Sequence, residues 1–254
     1  MGLAVVTVAS GGLPVVDVTG IAPRTGTPVT EATNGYGVPV TKVAALGMPV
    51  VFESIGVAAA FTAWDVATVA NVTLSGNNLI ATNTGTTSAD QGARIAASKS
   101  AGKFYLEATR LSIPASGNYG IGIATIASSY TTFGNTAVTG NLIRIPAGTL
   151  WDDGSATGIT IATFNQNDTV GIAVDIDNRR IWFRKSPAGV WNQSGTSNPA
   201  TNTEGVPLRG TGAMIPVCVF GGTGGTSGNS ISVNSGASVF SGAVPAGFTS
   251  GWPA

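Results

Sequence analysis

Asn167-Asp168-Thr169-Val170-Gly171-Ile172-Ala173-Val174-Asp175-Ile176-Asp177-Asn178 and, one residue on, Arg180-Ile181-Trp182-Phe183-Arg184-Lys185 are two runs joined across an Asp/Asn cluster. Their β-branched and aromatic content predicts strands over Thr169–Asp175 and Arg180–Arg184, and the cluster between them predicts a hairpin turn. Asp175 and Asp177 lie two apart, so in extended chain both project from one face. With Asn178 as a further oxygen donor they also spell a conceivable Ca²⁺ site. Turn formation is the commoner use of these residue types, because their short side chains bond the local backbone. Trp182 and Phe183 are neighbours in a strand, and one of them is expected in the core.

The same texture extends outward. Strand-like runs occur at Val72–Leu74, Leu79–Thr82, Phe104–Leu111, Tyr119–Thr125, Ile159–Phe164, Ile215–Phe220 and Ser230–Val233. Turn clusters such as Ser75-Gly76-Asn77-Asn78 and Asp152-Asp153-Gly154-Ser155 separate them. The period of two in Phe104–Leu111 and in Gly120–Ala124 marks sheets with distinct faces, and no helical stripe competes with it. About 190 residues of strands at this spacing predict an antiparallel β-sandwich with a sizeable core.

The first fifty residues differ. Gly12-Leu13-Pro14-Val15, Gly26-Thr27-Pro28-Val29, Gly37-Val38-Pro39-Val40 and Gly47-Met48-Pro49-Val50 repeat one phrase. Proline fixes φ, removes a backbone donor and extends the residue before it, so helix and central strand are both barred. The reading is an extended arm over residues 1–56, followed by a β domain over residues 57–254. The arm has few large apolar side chains and is expected to become ordered against other subunits, with Gly12, Pro14, Gly26, Pro28, Gly37, Pro39, Gly47 and Pro49 as its docking motifs. Fully extended it spans at most roughly 190 Å, enough to cross a neighbour.

Composition narrows the function classes. Charged residues are 9% of the chain, and 12 basic residues balance 12 acidic ones, so there is no positive field for nucleic acid. No apolar run reaches the length of a membrane helix, and no basic n-region precedes the apolar stretch Leu3–Ala9. So few charges suggest a protomer covered by copies of itself or by neighbours. Histidine is absent, which removes His-based triads and His metal sites. Paired carboxylates are the remaining catalytic option, and both Asp152/Asp153 and Asp175/Asp177 read as turns. Neither a catalytic residue, a metal nor a cofactor is expected. The single Cys218 lies in an apolar strand and reads as a small core side chain. Gly221–Gly228 lacks the Lys and following helix of a phosphate loop and reads as a flexible connection.

Several segments, in order, resemble the SPRY domain, a concanavalin-like sandwich. Gly102-Lys103-Phe104-Tyr105-Leu106-Glu107 looks like its early G-K-x-Y-x-E strand, and Asn167–Lys185 looks like its G-D-x-x-G-x-x-x-D-x-D hairpin with the returning strand. Val190-Trp191 looks like its tail, and Ile215–Val219 its late strand. Asn234-Ser235-Gly236 with Phe240, Pro245, Gly247 and Phe248 resembles its closing signature. Arg179 stands where a Gly usually follows the turn, and Ser235 replaces a Phe. The match covers roughly residues 62–252.

The arm resembles those of tailed-bacteriophage structural proteins. The two resemblances together imply a non-enzymatic capsid decoration, collar or fibre/spike subunit, assembled into the virion in the host cytoplasm. Its expected partners are its own copies, with a trimer as the guess, and other virion proteins; neither nucleic acid nor membrane insertion is expected. A receptor- or glycan-binding adhesin is the alternative, with Tyr130, Phe133, Trp151 and Trp191 as candidate host-glycan contacts because aromatic faces stack on sugar rings.

Overall fold

The computed structural model describes residues 31–33, 39–41, 61–85, 91–112, 119–129, 139–220 and 227–254. The described strands are β1 (Glu31–Thr33), β2 (Pro39–Thr41), β3 (Val72–Ser75), β4 (Ile80–Asn83), β5 (Gln91–Arg94) and β6 (Lys103–Ser112). There follow β7 (Tyr119–Thr125), β8 (Gly140–Ile145), β9 (Thr149–Asp152), β10 (Ser155–Thr160) and β11 (Thr169–Asp175). The last are β12 (Arg180–Ser186), β13 (Val206–Pro207), β14 (Met214–Phe220), β15 (Ser230–Asn234) and β16 (Thr249–Ser250). The chain divides into Met1–Gly56 and Val57–Ala254.

In the first unit β1 and β2 pair antiparallel, with Ala32 opposite Val40 and Thr33 opposite Pro39. Pro39 opens its strand, a position where the missing N–H is tolerated. The remaining docking-motif residues, Gly12, Pro14, Gly26, Pro28, Gly37, Gly47 and Pro49, lie outside the described residues.

The second unit is an all-β sandwich. One sheet has the order β10-β9-β8-β7-β14-β5, and the other β13-β12-β11-β6-β15-β4-β3, with β16 added parallel to β6. All other pairings within the two sheets are antiparallel. Phe104, Leu106, Ile172, Val174, Ile181 and Phe183 from one sheet meet Tyr119, Ile121, Ile123, Ile143, Cys218 and Phe220 from the other in one core. Burying each large apolar side chain contributes about 1.5–3 kcal/mol before chain entropy is subtracted. Trp252 closes the core near the C-terminus, its ring 4.8 Å from that of Phe104, with its indole N–H donating to the Ala97 carbonyl at 2.7 Å.

The predicted hairpin forms residue for residue, β11 on β12, with Thr169 opposite Ser186 and Asp175 opposite Arg180. The expected strand Ile159–Phe164 does not form. β10 ends at Thr160, and Ile161 and Phe164 enter the core from irregular chain. Their amides bond the Gly148 and Pro146 carbonyls instead of a strand ladder. Apolar content signalled burial there, not extension. The two- to four-residue strands β5, β9, β13 and β16 were too short to stand out, and β8, though it holds Ile143 and Ile145, was not foreseen. Phe183 enters the core as expected, and Trp182, pointing the opposite way, is equally buried.

Candidate functional site

The burial of Trp182 directs attention to the face of the β12-β11-β6 ladder turned away from the core. Alternation places Lys103, Tyr105, Glu107 and Thr109 of β6 on it, together with Ala173 and Gly171 of β11 and Trp182, Arg184 and Ser186 of β12. Register aligns them in rungs: Tyr105–Ala173–Trp182, Glu107–Gly171–Arg184, and Thr109–Thr169–Ser186. Gly171 lacks a side chain at the centre of the second rung. A Cβ there would stand 2.8 Å from Ser186 Oγ and 2.9 Å from the Tyr105 hydroxyl. The gap lets the polar groups of both flanking strands meet above it.

They converge on Glu107, only 3% exposed. Its Oε1 accepts from the Tyr105 hydroxyl at 2.6 Å, Ser186 Oγ at 2.9 Å and the Gly242 amide at 2.9 Å. Its Oε2 accepts from the Ser241 amide at 2.8 Å, and Ser241 Oγ lies 3.0 Å from both oxygens. Burial alone would raise the carboxyl's pKa, but the donors from Tyr105, Ser241, Gly242 and Ser186 outweigh it and hold the group below its ordinary range. Burial, with the Glu107 charge adding to it, pushes the Tyr105 hydroxyl up to about 12. Arg184 donates to the Ala243 carbonyl at 2.7 Å and stacks its guanidinium 4.4 Å over the Trp191 ring. Around this polar centre Tyr105, Ala173, Trp182 and Phe248 form a second apolar cluster, joined by Trp191, Phe240 and Val244.

The chemistry of the site is that of a clamp. Both carboxylate oxygens are saturated with donors, so Glu107 has no free lone pair for a substrate proton. A cavity of ≈ 330 Å³ opens beside Ser186, lined by Ile161, Ala162, Pro187, Val190, Gln193 and Lys185 among others. The Lys185 ammonium is paired to Asp168 at 2.6 Å, so the cavity wall offers no poised acid or base.

The residues singled out in the sequence are dispersed. Asp175 is fully buried, pairs with Lys103 at 2.9 Å and accepts from the backbone and side chain of Asn178, while Asp177 accepts from the Gly102 amide. The two carboxylates therefore close the hairpin and anchor β6. Asp152 binds Asn141 and Arg209, and Asp153 accepts from the Gly140 amide at the β9–β10 turn. Among the described residues no three Cys, Asp or Glu side chains gather as a metal set. Trp151 lies in β9 of the six-stranded sheet with Arg144 over its ring, whereas Trp191 lies against the eight-stranded sheet. Tyr130 and Phe133 fall outside the described residues.

No family model matches the sequence, and none of the curated proteins matches it. Among solved structures, the SPRY domain of human HERC1 aligns with a TM-score of 0.50 at 12% identity, over 67% of this chain and 96% of that one. The TRIM65 PSpry domain aligns with a TM-score of 0.44 at 12% identity, over 68% of this chain and 92% of that one. The fold is that of a SPRY-like sandwich. On it, the segments that carry the resemblance meet in one place: Tyr105 and Glu107 of the early strand, Arg184 of the returning strand, Trp191 of the tail and Phe248 of the closing signature. That convergence is visible only in the fold, because each segment alone gives only a strand or a turn. Arg179, at the position where glycine was expected, adopts the left-handed φ of 53° and donates to the Leu208, Arg209 and Gly210 carbonyls. Its guanidinium bonds offset the backbone strain.

Proposed function

We propose that the chain is a non-enzymatic structural component of a tailed-phage particle, a capsid decoration, collar or fibre/spike subunit. Residues 1–56 dock on neighbouring subunits, and the SPRY-like sandwich projects. One observation carries the non-enzymatic part. All eight described carboxylates of the sandwich accept hydrogen bonds as caps, turn closures or clamps: Asp65, Glu107, Asp152, Asp153, Asp168, Asp175, Asp177 and Glu204. The assembly part rests on the four proline phrases and on the scarcity of charge.

Two measurements test this reading. Light scattering should find the full chain in a closed oligomer and a 57–254 fragment as a folded monomer. A fragment without β-sheet circular dichroism would break the division of labour between arm and sandwich. Antibodies to the sandwich should decorate gradient-purified particles in a regular array, and particles free of the protein would overturn the virion assignment. The half-buried Trp151, beside the exposed, uncharged strand β10, favours a second reading: a glycan-binding face on the same particle. A glycan array probed with the oligomer tests it.

A further inference from the structure

The segment from Gly236 to Phe248 leaves the sandwich and returns through β16, which pairs with β6, to the point where it left. The Trp252 amide donates to the Ser235 carbonyl at 2.7 Å. Both anchor residues are fully buried, with Ser235 Oγ donating to the Thr62 carbonyl and the Trp252 ring in the core. Gly236 and Gly251 have left-handed φ values of 113° and 94°, and Gly247 one of 82°. Gly236 opens the segment and Gly247 stands beside its return into β16, so residues 236–248 form an Ω-loop whose two ends are held by the sheet.

Few polar contacts fasten the loop's middle to the sheet. Ser241 and Gly242 donate to Glu107, and the Ala243 carbonyl accepts from Arg184. The other bonds of residues 236–248 run between Asn234 and the loop's first residues, or within its last turn; beyond them β16 pairs with β6 and the Gly251 amide donates to the Tyr105 carbonyl at 2.8 Å. Gly242 is buried at the contact, where a Cβ would stand 2.5 Å from the Arg184 guanidinium and 3.1 Å from the Tyr105 hydroxyl. Beneath lie Tyr105, Ala173 and Trp182. On its underside the loop adds Phe240, Val244 and Phe248.

We propose that residues 236–248 form a hinged strap latched by the Glu107 carboxylate, and that loss of this charge opens the strap over an aromatic surface while the sandwich, β16 included, stays folded. The groups facing Glu107 are Tyr105 from its own strand, Arg184 and Ser186 from β12, and Ser241 and Gly242 from the strap. Arg184 is the only cation among them, and it holds the strap through Ala243. The latch needs an acceptor at both oxygens, because the Ser241 and Gly242 amides are obligate donors to different oxygens. A glutamine side chain offers one acceptor oxygen and one amino group, so it must fail one of the two.

The pH sense follows from the lowered pKa. Stability from an ionised Glu107 is present above its unfolded value, near 4.5, and is lost as pH falls through the lower folded value. The strap therefore stays shut at neutral pH and opens in acid.

Hydrogen exchange on the full chain tests the latch. Glu107→Gln should raise exchange at the amides of 240–248 at least tenfold and leave β7, β11 and β14 unchanged, with a rise in dye binding to the uncovered aromatic face. Ser241→Pro removes both the amide and the hydroxyl donor from the strap side, leaves the core side chains untouched, and should do the same. Wild type should show the same local opening in acid, as pH falls through the lowered Glu107 range. Equal deprotection of strap and central strands in both variants would show that Glu107 and the strap belong to the global fold. Unchanged strap protection in Ser241→Pro would show that apolar packing alone holds it. Either result overturns the latch.

Discussion

The two faces of the β12-β11-β6 ladder are built from alternate residues of the same three strands, yet they are closed by different physics. Toward the core, Phe104–Val174–Ile181 and Leu106–Ile172–Phe183 stack as apolar rungs against the second sheet. Area removed from water holds that face, without directional bonds. Away from the core, the rungs Glu107–Gly171–Arg184 and Lys103–Asp175–Arg180 are polar, and burial there survives because each charge is met by donors or an opposite charge. A non-directional face tolerates drift, whereas a polar buried face holds only while every partner is present. The first makes a permanent core, the second a closure that one charge can undo.

The sharpest way to break this contrast is a pair of neighbouring residues. Phe183→Ala opens a void in the core and should lower global stability by about 3–5 kcal/mol, with every strand exchanging faster in hydrogen exchange. Were the same substitution to loosen only the 236–248 segment, the assignment of faces would be reversed. Next in size is Asp175→Asn, which keeps the shape but removes the charge paired to Lys103. Burial disfavours the ionised form of Asp175, yet Asn178 and Lys103 prevail and lower its pKa. Wild-type stability from this group is therefore full above its unfolded value, near 3.8, and drains away as pH falls below it. The variant should lose about 1–3 kcal/mol at pH 7 and show a flatter acid limb in denaturant titrations. Chelator should shift the melting temperature of neither protein, and a chelator-sensitive wild type would return the hairpin end to the list of metal sites.

The core face was legible in the sequence because period-two patterning is a property of one strand at a time. Phe104–Leu111 alternates, and Thr169–Asp175 and Arg180–Arg184 are marked by composition, so the hairpin and the sandwich class could both be read from local chemistry. The outer face was not legible in that way. Glu107 looks like a solvent-facing residue in an alternating strand, and only its contact with Ser241 and Gly242, more than a hundred residues on, makes it a buried centre. Trp182 likewise reads as an exposed or a core aromatic according to whether a distant loop covers it. Gly171 matched the second glycine of the hairpin pattern, but its role, to leave room for Tyr105 and Ser186, is set by the flanking strands. The two described glycan candidates, Trp151 and Trp191, lie against different sheets: an aromatic near a turn is identified by type, whereas a binding face is defined by which types share a surface.

The smallest expected effect is an absence of one, and it separates the two faces most cleanly. Cys218 sits in β14 opposite Ala93 and Ile121, fully buried on the core face of the six-stranded sheet, and burial pushes its thiol up to about 12. The thiolate is the reacting form, so both exclusion and protonation suppress its chemistry at pH 8. In the native protein, alkylation of Cys218 should track global unfolding and stay below detection over hours without denaturant. Glu107→Gln should leave that rate unchanged, because opening the strap uncovers Tyr105 and Trp182 and not the space between the sheets. Phe183→Ala, by contrast, should accelerate labelling by the factor that its stability loss predicts, about 100-fold or more at 3 kcal/mol in the regime where labelling follows the open population. Rapid labelling in Glu107→Gln would mean that the polar face and the apolar core unfold together, and the distinction between a permanent core and a releasable closure would be lost.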